Sequence, residues 1–267
     1  MKPLKNHTLI YDNDCPMCNL YSKGFIKSGM LDENGREAFT ELSCKNKNLI
    51  DFNRAKNEIA LVDHNQNTVI YGLDSLLAII GNSFPLLEKI ARIQPLYWFS
   101  RKLYSFVSYN RKQIIPSENT DYSCTPDFNL KYRLAYIAFV ILFSSLIGYA
   151  SKEKSELFSG LDVIWLPVFY IVLIFWQLLF LQSSSKENIW DYLGNMMTVS
   201  LIGSLLFFPV LIIDTHSFPG SIYCGIVATI MLLEHVRRCT ILNLSVFHTI
   251  SWLVFIGIYV IICMYYV

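Results

Sequence analysis

The ionisable side chains crowd into the first half of this chain, and that asymmetry limits what it can fold into. Residues 1–131 carry 16 Lys and Arg and 14 Asp and Glu, while residues 132–267 carry only 6 and 7. The chain as a whole is 53% hydrophobic with a mean hydropathy of +0.38, more apolar than an ordinary soluble domain. The excess lies in the second half. The first half can fold in water; the second is composed for lipid. A net charge of +1 supplies no basic footprint, so nucleic acid is not expected as a partner.

Five apolar stretches run through the second half: Tyr132–Ala150, Leu161–Gln182, Leu193–Ile213, Phe218–Glu234 and Leu244–Val267. A bilayer crossing takes about 20 mostly apolar residues, so an all-α membrane domain of about five helices is expected. Lys131 and Arg133 flank the first stretch, and Arg237 and Arg238 separate the fourth from the fifth. Positive charge marks the cytoplasmic side. That rule places the N-terminal half in the cytoplasm and the C-terminus outside, as in an integral protein of a bacterial inner membrane. Lys152 and Lys154 run against the rule, in the company of Glu153 and Glu156. Asp162, Asp191, Asp214 and His216 fall at the ends of the stretches, and Pro167 and Pro209 are expected to kink their helices. No apolar signal-peptide core separates Lys2 and Lys5 from the polar Asp12–Asp14.

The polar half alternates between strand and helix patterns. Thr8–Tyr11 reads as a strand and Pro16–Ser28 as a helix, with Met17, Leu20, Tyr21, Phe25 and Ile26 at helical spacing. Phe39–Leu42 reads as a second strand. Glu58–Asp63 and Thr68–Tyr71, joined by the polar turn His64–Asn67, read as a β-hairpin. Gly72 ends it, and Asp74 is expected to cap a helix reaching Ile80. This order is the thioredoxin-like α/β arrangement. Between residues 84 and 115 the pattern is helical, basic and aromatic. Lys89, Arg92, Arg101, Lys102, Arg111 and Lys112 interleave with Tyr97, Trp98, Phe99, Tyr104, Phe106 and Tyr109. Such a segment either lies against anionic headgroups or closes the core of the polar domain; both uses need the same period.

The chemistry centres on Asp12-Asn13-Asp14-Cys15-Pro16-Met17-Cys18. Two cysteines three apart stand where a strand hands over to a helix. There the unpaired backbone N–H groups and the helix dipole favour an anion, and the thiolate is the reactive form of cysteine. A reducing cytosol makes such a pair catalytic or metal-binding rather than a structural disulfide.

Tyr11-Asp12-Asn13-Asp14-Cys15-Pro16-Met17-Cys18 resembles the opening motif of the DCC family of thiol-disulfide oxidoreductases. Tyr71-Gly72-Leu73-Asp74-Ser75-Leu76 and Tyr104…Tyr109-Asn110-Arg111, followed by Cys124, are similar to later stretches of that family. The resemblance implies a thioredoxin-like domain over residues 1–125, which includes the basic aromatic segment at 84–115; residues 126–267 form the membrane domain. It implies a redox pair in which Cys15 attacks a disulfide and Cys18 resolves the mixed disulfide. Two readings stand for Asp12: a buried carboxylate relaying a proton to or from Cys18, or a solvated or capping residue at the strand end. Unlike thioredoxins, the chain has no proline between Pro16 and Pro85, and Lys56-Asn57 occupies the place before the hairpin.

The expected function is a membrane-anchored thiol-disulfide oxidoreductase. Its partners are a disulfide-containing protein or small thiol, a reducing thiol system and the lipid bilayer, with no cofactor. Two alternatives remain. One is a redox-responsive regulator of its own membrane domain. The other is a structural zinc-binding domain, in which Cys44 and Cys124, or His7 or His64, join Cys15 and Cys18 to complete four ligands; their spacing matches no compact zinc module. Cys224 and Cys263, with Cys239, would serve an electron relay across the membrane, or simply pack in it.

Overall fold

The computed structural model describes residues 2–117, 124–151, 164–181, 186–212 and 220–266. Lys152, Glu153, Lys154, Glu156, Asp162, Asp214 and His216, and the side chain of Cys263, lie outside them. The chain divides into two compact units, Met1–Tyr132 and Arg133–Val267.

The first unit is a small mixed sheet with helices. In chain order it contains β1 (His7–Tyr11), α1 (Pro16–Lys27), β2 (Arg36–Ala38), α2 (Cys44–Lys47), α3 (Phe52–Ala55), β3 (Ala60–Asp63), β4 (Thr68–Tyr71), α4 (Leu73–Ser83), α5 (Pro85–Ala91) and α6 (Gln94–Ile114). The sheet order is β2-β1-β3-β4. β1 pairs with β2 in parallel and with β3 antiparallel, and β3 and β4 form the antiparallel hairpin. Asp63 Oδ1 accepts the Asn65 N–H at 2.8 Å in the turn, and Asn67 takes the left-handed φ of 53° that closes it.

Both faces of the sheet are covered, so alternate residues of each strand enter different cores. Leu9 and Leu61 pack with Leu31, Ile59 and Ile79, alongside Tyr21 and Phe25 of α1. Ile10, Ala60 and Val62 pack on the opposite side with Leu42, Ile50 and Ala55.

Two local expectations are corrected. The second strand is Arg36–Ala38, and Phe39–Glu41 turns as a 3-10 helix instead. The Glu37 carboxylate accepts from the Ser43 N–H and the Asn46 side chain, which draws the chain into α2 and drops Leu42 into the core. Asp74 is not the cap of α4. Gly72 occupies that place with φ 69°, where a Cβ would stand 3.0 Å from Glu58 Oε2. Asp74 instead accepts from Tyr97 Oη at 2.9 Å and pairs with Arg92 at 3.2 Å.

α5 and α6 split the basic aromatic segment between its two readings. Leu86, Leu87, Ile90, Ile93, Leu96, Trp98, Phe99 and Leu103 are exposed, Trp98 by 63%. Further along α6, Ser108, Asn110, Arg111 and Gln113 are buried. The first part of the segment is an uncovered apolar face, and the second part closes the domain.

The second unit is all-helical: α7 (Leu130–Ala150), α8 (Trp165–Leu178), α9 (Lys186–Ile212), α10 (Gly220–Ile241) and α11 (Val246–Tyr266). The expectation of about five spans is corrected. Among the described residues two helices, Leu130–Ala150 and Asn188–Leu211, are long and apolar enough to cross a bilayer. Trp165–Leu178 is apolar but shorter; at 1.5 Å per residue, its 14 residues reach only about 21 Å of a core about 30 Å thick, while α11 is apolar over Val246–Ile262, the part whose side chains are described. α10 carries Glu234, Arg237 and Arg238, ion-paired to one another. Pro167 stands in the first turn of α8, where its missing N–H costs nothing, whereas Pro209 lies inside α9.

Leu61 is fully buried between the strands and α1. Leu61→Ala is expected to destabilise the first unit by about 2–5 kcal/mol. The measurement is the urea concentration at which the buried Cys124 becomes open to pulse alkylation, which should fall.

Candidate active site

The turn after β1 delivers both cysteines to the start of α1. Cys15 is the N-cap, with extended backbone (φ −91°, ψ 110°), and Pro16 follows in the first turn. Proline suits that position because its fixed φ is helical and its absent N–H has no partner to lose. Asp12 O accepts the Cys15 N–H at 3.3 Å, and Cys15 O accepts the Asn19 N–H at 3.0 Å. Cys15 Sγ therefore stands where a serine or aspartate oxygen caps other helices, and it accepts the Cys18 N–H at 3.4 Å.

These contacts separate the two sulfurs electrostatically. The Cys15 thiol falls from 9.0 to about 6. The chief cause is the hydrogen bond it accepts from the Cys18 thiol; the Cys18 N–H and the Arg111 charge help, while burial and Asp12 oppose. Cys18 moves the other way, its proton held by Cys15, by burial and by repulsion from the Cys15 thiolate. At pH 7 a thiol of that acidity is about nine-tenths ionised. Cys15 is a thiolate next to a protonated Cys18. Both are largely shielded, Cys15 being 1% exposed and Cys18 8%.

Asp12 is buried, at 5% exposure, so the solvated reading is corrected. Its Oδ1 accepts the Asp14 N–H at 3.1 Å, and its Oδ2 faces Arg111 Nη2 at 3.2 Å. For Arg111 the sequence leaves two readings, a headgroup contact or closure of the polar domain, and its 5% exposure decides for the second. Nη2 donates to Asp12, to Lys56 O at 2.9 Å and to Cys124 O, and approaches Cys124 Sγ at 3.8 Å. Burial works against its charge, but the surrounding cysteines and Asp12 more than offset that and raise its pKa. The available signal was the Tyr109-Asn110-Arg111 stretch, which resembled the family whereas the neighbouring basic residues did not.

Tyr104, two turns earlier on the same side of α6, accepts the Ile59 N–H at 3.0 Å; burial pushes its hydroxyl up to about 12. Tyr21 on α1 is likewise held protonated by burial and by Cys18. At Lys56-Asn57 both carbonyls are engaged, the first by Arg111 and the second by Ser108 Oγ. Asp127 pairs with Lys56 at 2.6 Å and with the Asn57 side chain at 2.7 Å. The loop before the hairpin is thus tied to α6 on one side and to the segment after Cys124 on the other.

The proposed metal ligands do not gather. Cys44 is exposed at the start of α2. His7 pairs with Asp63 at 3.6 Å, and His64 Nε2 bonds Thr8 Oγ1 at 2.8 Å. Cys124 lies beside Arg111, where burial pushes its thiol up to about 12. Among the described residues no group of three or more His, Cys, Asp or Glu could hold a metal ion. In the second unit Cys224 is half-buried and Cys239 is buried beside His235 Nδ1 at 3.5 Å; their relay partner Cys263 falls outside the described side chains.

Neither a curated protein nor a solved structure matches the chain. Residues 9–116 match the family model of DCC1-like thiol-disulfide oxidoreductases, a stretch that runs from β1 through both cysteines to the end of α6 and includes Arg111. Over these residues the N-terminal unit is similar to the DCC1-like thiol-disulfide oxidoreductase family, and the match does not extend into the helical unit.

Proposed function

We propose that the first unit is a thioredoxin-like domain that reduces disulfides by exchange at Cys15 and Cys18. The observation that carries this reading is the division of labour between the sulfurs, an acidified Cys15 at the helix cap and a Cys18 that keeps its proton. The Cys15 thiolate attacks one sulfur of a partner disulfide, forming a mixed disulfide and expelling the other sulfur as a thiolate. Cys18 then gives up its proton and attacks Cys15 Sγ. The Cys15–Cys18 disulfide forms, the second partner sulfur leaves, and the partner is reduced by two electrons. A reducing thiol system restores the pair. To Asp12 we assign two tasks, anchoring Arg111 beside the sulfurs and receiving the Cys18 proton.

Two features narrow the substrate. The carbonyls of Lys56 and Asn57 are already bonded, so this loop has little to offer an extended peptide. The low exposure of Cys15 favours a slim disulfide, either a small molecule or one on a protruding loop. The same burial supports a second reading, a redox-responsive regulator of the helical unit that turns over slowly.

The apolar helices of the second unit, and the basic apolar face of α5 and α6, support attachment to a lipid bilayer with the first unit on the cytoplasmic side.

Cys15→Ser is expected to abolish reduction of a small disulfide such as cystine by the purified chain, and Cys18→Ala to accumulate a mixed disulfide through Cys15. Turnover that persists in Cys15→Ser refutes the exchange mechanism. Negligible turnover by the parent protein, with an oxidation-dependent change in the helical unit, favours the regulator.

The pH dependence follows from the acidified thiol. Alkylation of Cys15 by iodoacetamide, followed by peptide mass spectrometry, should rise with pH around a midpoint near 6 and level off above 7. The depressed pKa also stabilises the reduced fold. That contribution is complete above pH 9 and is lost as pH falls through about 6. Arg111→Gln should move the alkylation midpoint upward. It should also destabilise the unit by about 3–5 kcal/mol, because Asp12 is left buried without its counter-charge; Asp12→Asn combined with Arg111→Gln should cost less than the two single changes added together.

A further inference from the structure

The stretch from Cys124 to Tyr132 belongs to the first unit and runs on into α7. It is fastened at three points. Arg111 Nη2 of α6 donates to Cys124 O, and Cys124 Sγ donates to Ala55 O at 3.7 Å. The Asp127 carboxylate takes Lys56 Nζ at 2.6 Å and Asn57 Nδ2 at 2.7 Å, and Asn57 Oδ1 accepts the Asp127 N–H at 2.8 Å. Tyr132 O accepts from Asn110 Nδ2 at 3.0 Å, and the Tyr132 ring stacks on Tyr109 at 4.9 Å. Thiol exchange as described above uses none of these three anchorages.

Arg111 joins the anchorages to the sulfurs. The Nη2 that holds Cys124 O also donates to Lys56 O at 2.9 Å and to Asp12 Oδ2 at 3.2 Å. The loop before β3, α6 and the stretch after Cys124 therefore meet at one guanidinium. From Asp12 the path to the redox pair is short: Asp12 O accepts the Cys15 N–H at 3.3 Å, and Cys15 Sγ accepts the Cys18 N–H at 3.4 Å.

Charge keeps that guanidinium enclosed more than hydrogen bonds do. Its Nε is buried with no partner among the described residues, and Nη1 reaches Ser108 Oγ only at 3.5 Å. Taking a cation out of water is costly unless anions offset it. Two nearby anions do so, the Asp12 carboxylate and the Cys15 thiolate. Arg111 helps to keep Cys15 ionised, and coupling of this kind is reciprocal, so the thiolate helps to keep Arg111 enclosed. In the Cys15–Cys18 disulfide that second anion is gone. The Cys15 thiolate and the Cys18 thiol have together given up two electrons and one proton. The partner disulfide has taken them and left as one thiolate and one thiol. Burying Arg111 is as costly as before, and one of the two charges that offset it has vanished.

We propose that Arg111 is a redox-operated clasp, which holds the Cys124–Tyr132 stretch while Cys15 and Cys18 are reduced and releases it when they form a disulfide. The clasp rests on the exchange reading, because the disulfide has to form. It also gives the regulator reading a physical route. The state of the two sulfurs reaches the first turn of α7 through a single side chain.

The test is hydrogen–deuterium exchange of the full-length chain in detergent, read by peptide mass spectrometry before and after treatment with excess 2-hydroxyethyl disulfide. Residues 124–132 are expected to exchange at least about tenfold faster in the oxidised protein, while the buried strand β3 is unchanged. Cys15→Ser removes the anion without making a disulfide, so it should exchange at the oxidised rate with no treatment. Cys15→Asp restores an anion at the helix cap and should keep the slow rate of the reduced protein; should it not fold, the two forms of the parent chain and Cys15→Ser still decide. A Cys15–Cys18 disulfide that cannot be formed overturns the exchange reading and the clasp together. A disulfide that forms, seen as the loss of two hydrogens from the α1 peptide, while residues 124–132 exchange equally in both forms, overturns the clasp and leaves exchange standing. Protection of residues 124–132 that survives in Cys15→Ser overturns the clasp as well.

Discussion

The N-terminal unit depends on one buried ion pair, Arg111 with Asp12. A guanidinium cannot shed its charge inside a protein, so enclosing it at 5% exposure obliges the surrounding chain to supply acceptors. Four parts of the sequence do so. The end of β1 contributes the Asp12 carboxylate, the loop before β3 contributes Lys56 O, the segment after α6 contributes Cys124 O, and α6 itself contributes Ser108 Oγ at 3.5 Å. Pulling these together brings a positive charge close to Cys15, where it joins the Cys18 hydrogen bonds in stabilising a thiolate. The constraint that closes the domain is the same one that tunes its sulfur.

The balance is narrow. Burial alone would raise both thiols, as it does for Cys124, which shares the Arg111 neighbourhood yet is pushed up to about 12. Cys15 differs because it caps α1 and takes hydrogen bonds from both the backbone and the thiol of Cys18. Local geometry, more than proximity to positive charge, decides which of the three buried cysteines of the first unit is acidified.

Much of this arrangement is legible in the sequence because it follows from short-range pattern. The Cys-X-X-Cys after an apolar run locates the cap, Pro16 locates the first turn, and the hairpin announces itself through the alternation of 60–63 and 68–71. Phe39–Leu42 misled because a strand-like run was captured by Glu37, whose carboxylate bonds reach ahead to Ser43 and Asn46. The two readings of Arg111 stay open in the sequence for a deeper reason: its partner lies 99 residues away, and helical periodicity shows only which residues share a face, never whether that face meets lipid or a carboxylate. The helical unit was overcounted because hydropathy sums ignore where helices stop, and α8 has only 14 residues.

α6 joins two environments in one unbroken rod. Its 21 residues extend about 31 Å; the leading turns carry the uncovered Leu96, Phe99 and Leu103, and the trailing turns carry Arg111. A rigid helix transmits tilt along its length. Any force that repositions the greasy leading end must therefore shift the guanidinium at the other, so the acidity of the sulfur is mechanically coupled to whatever surface that end touches.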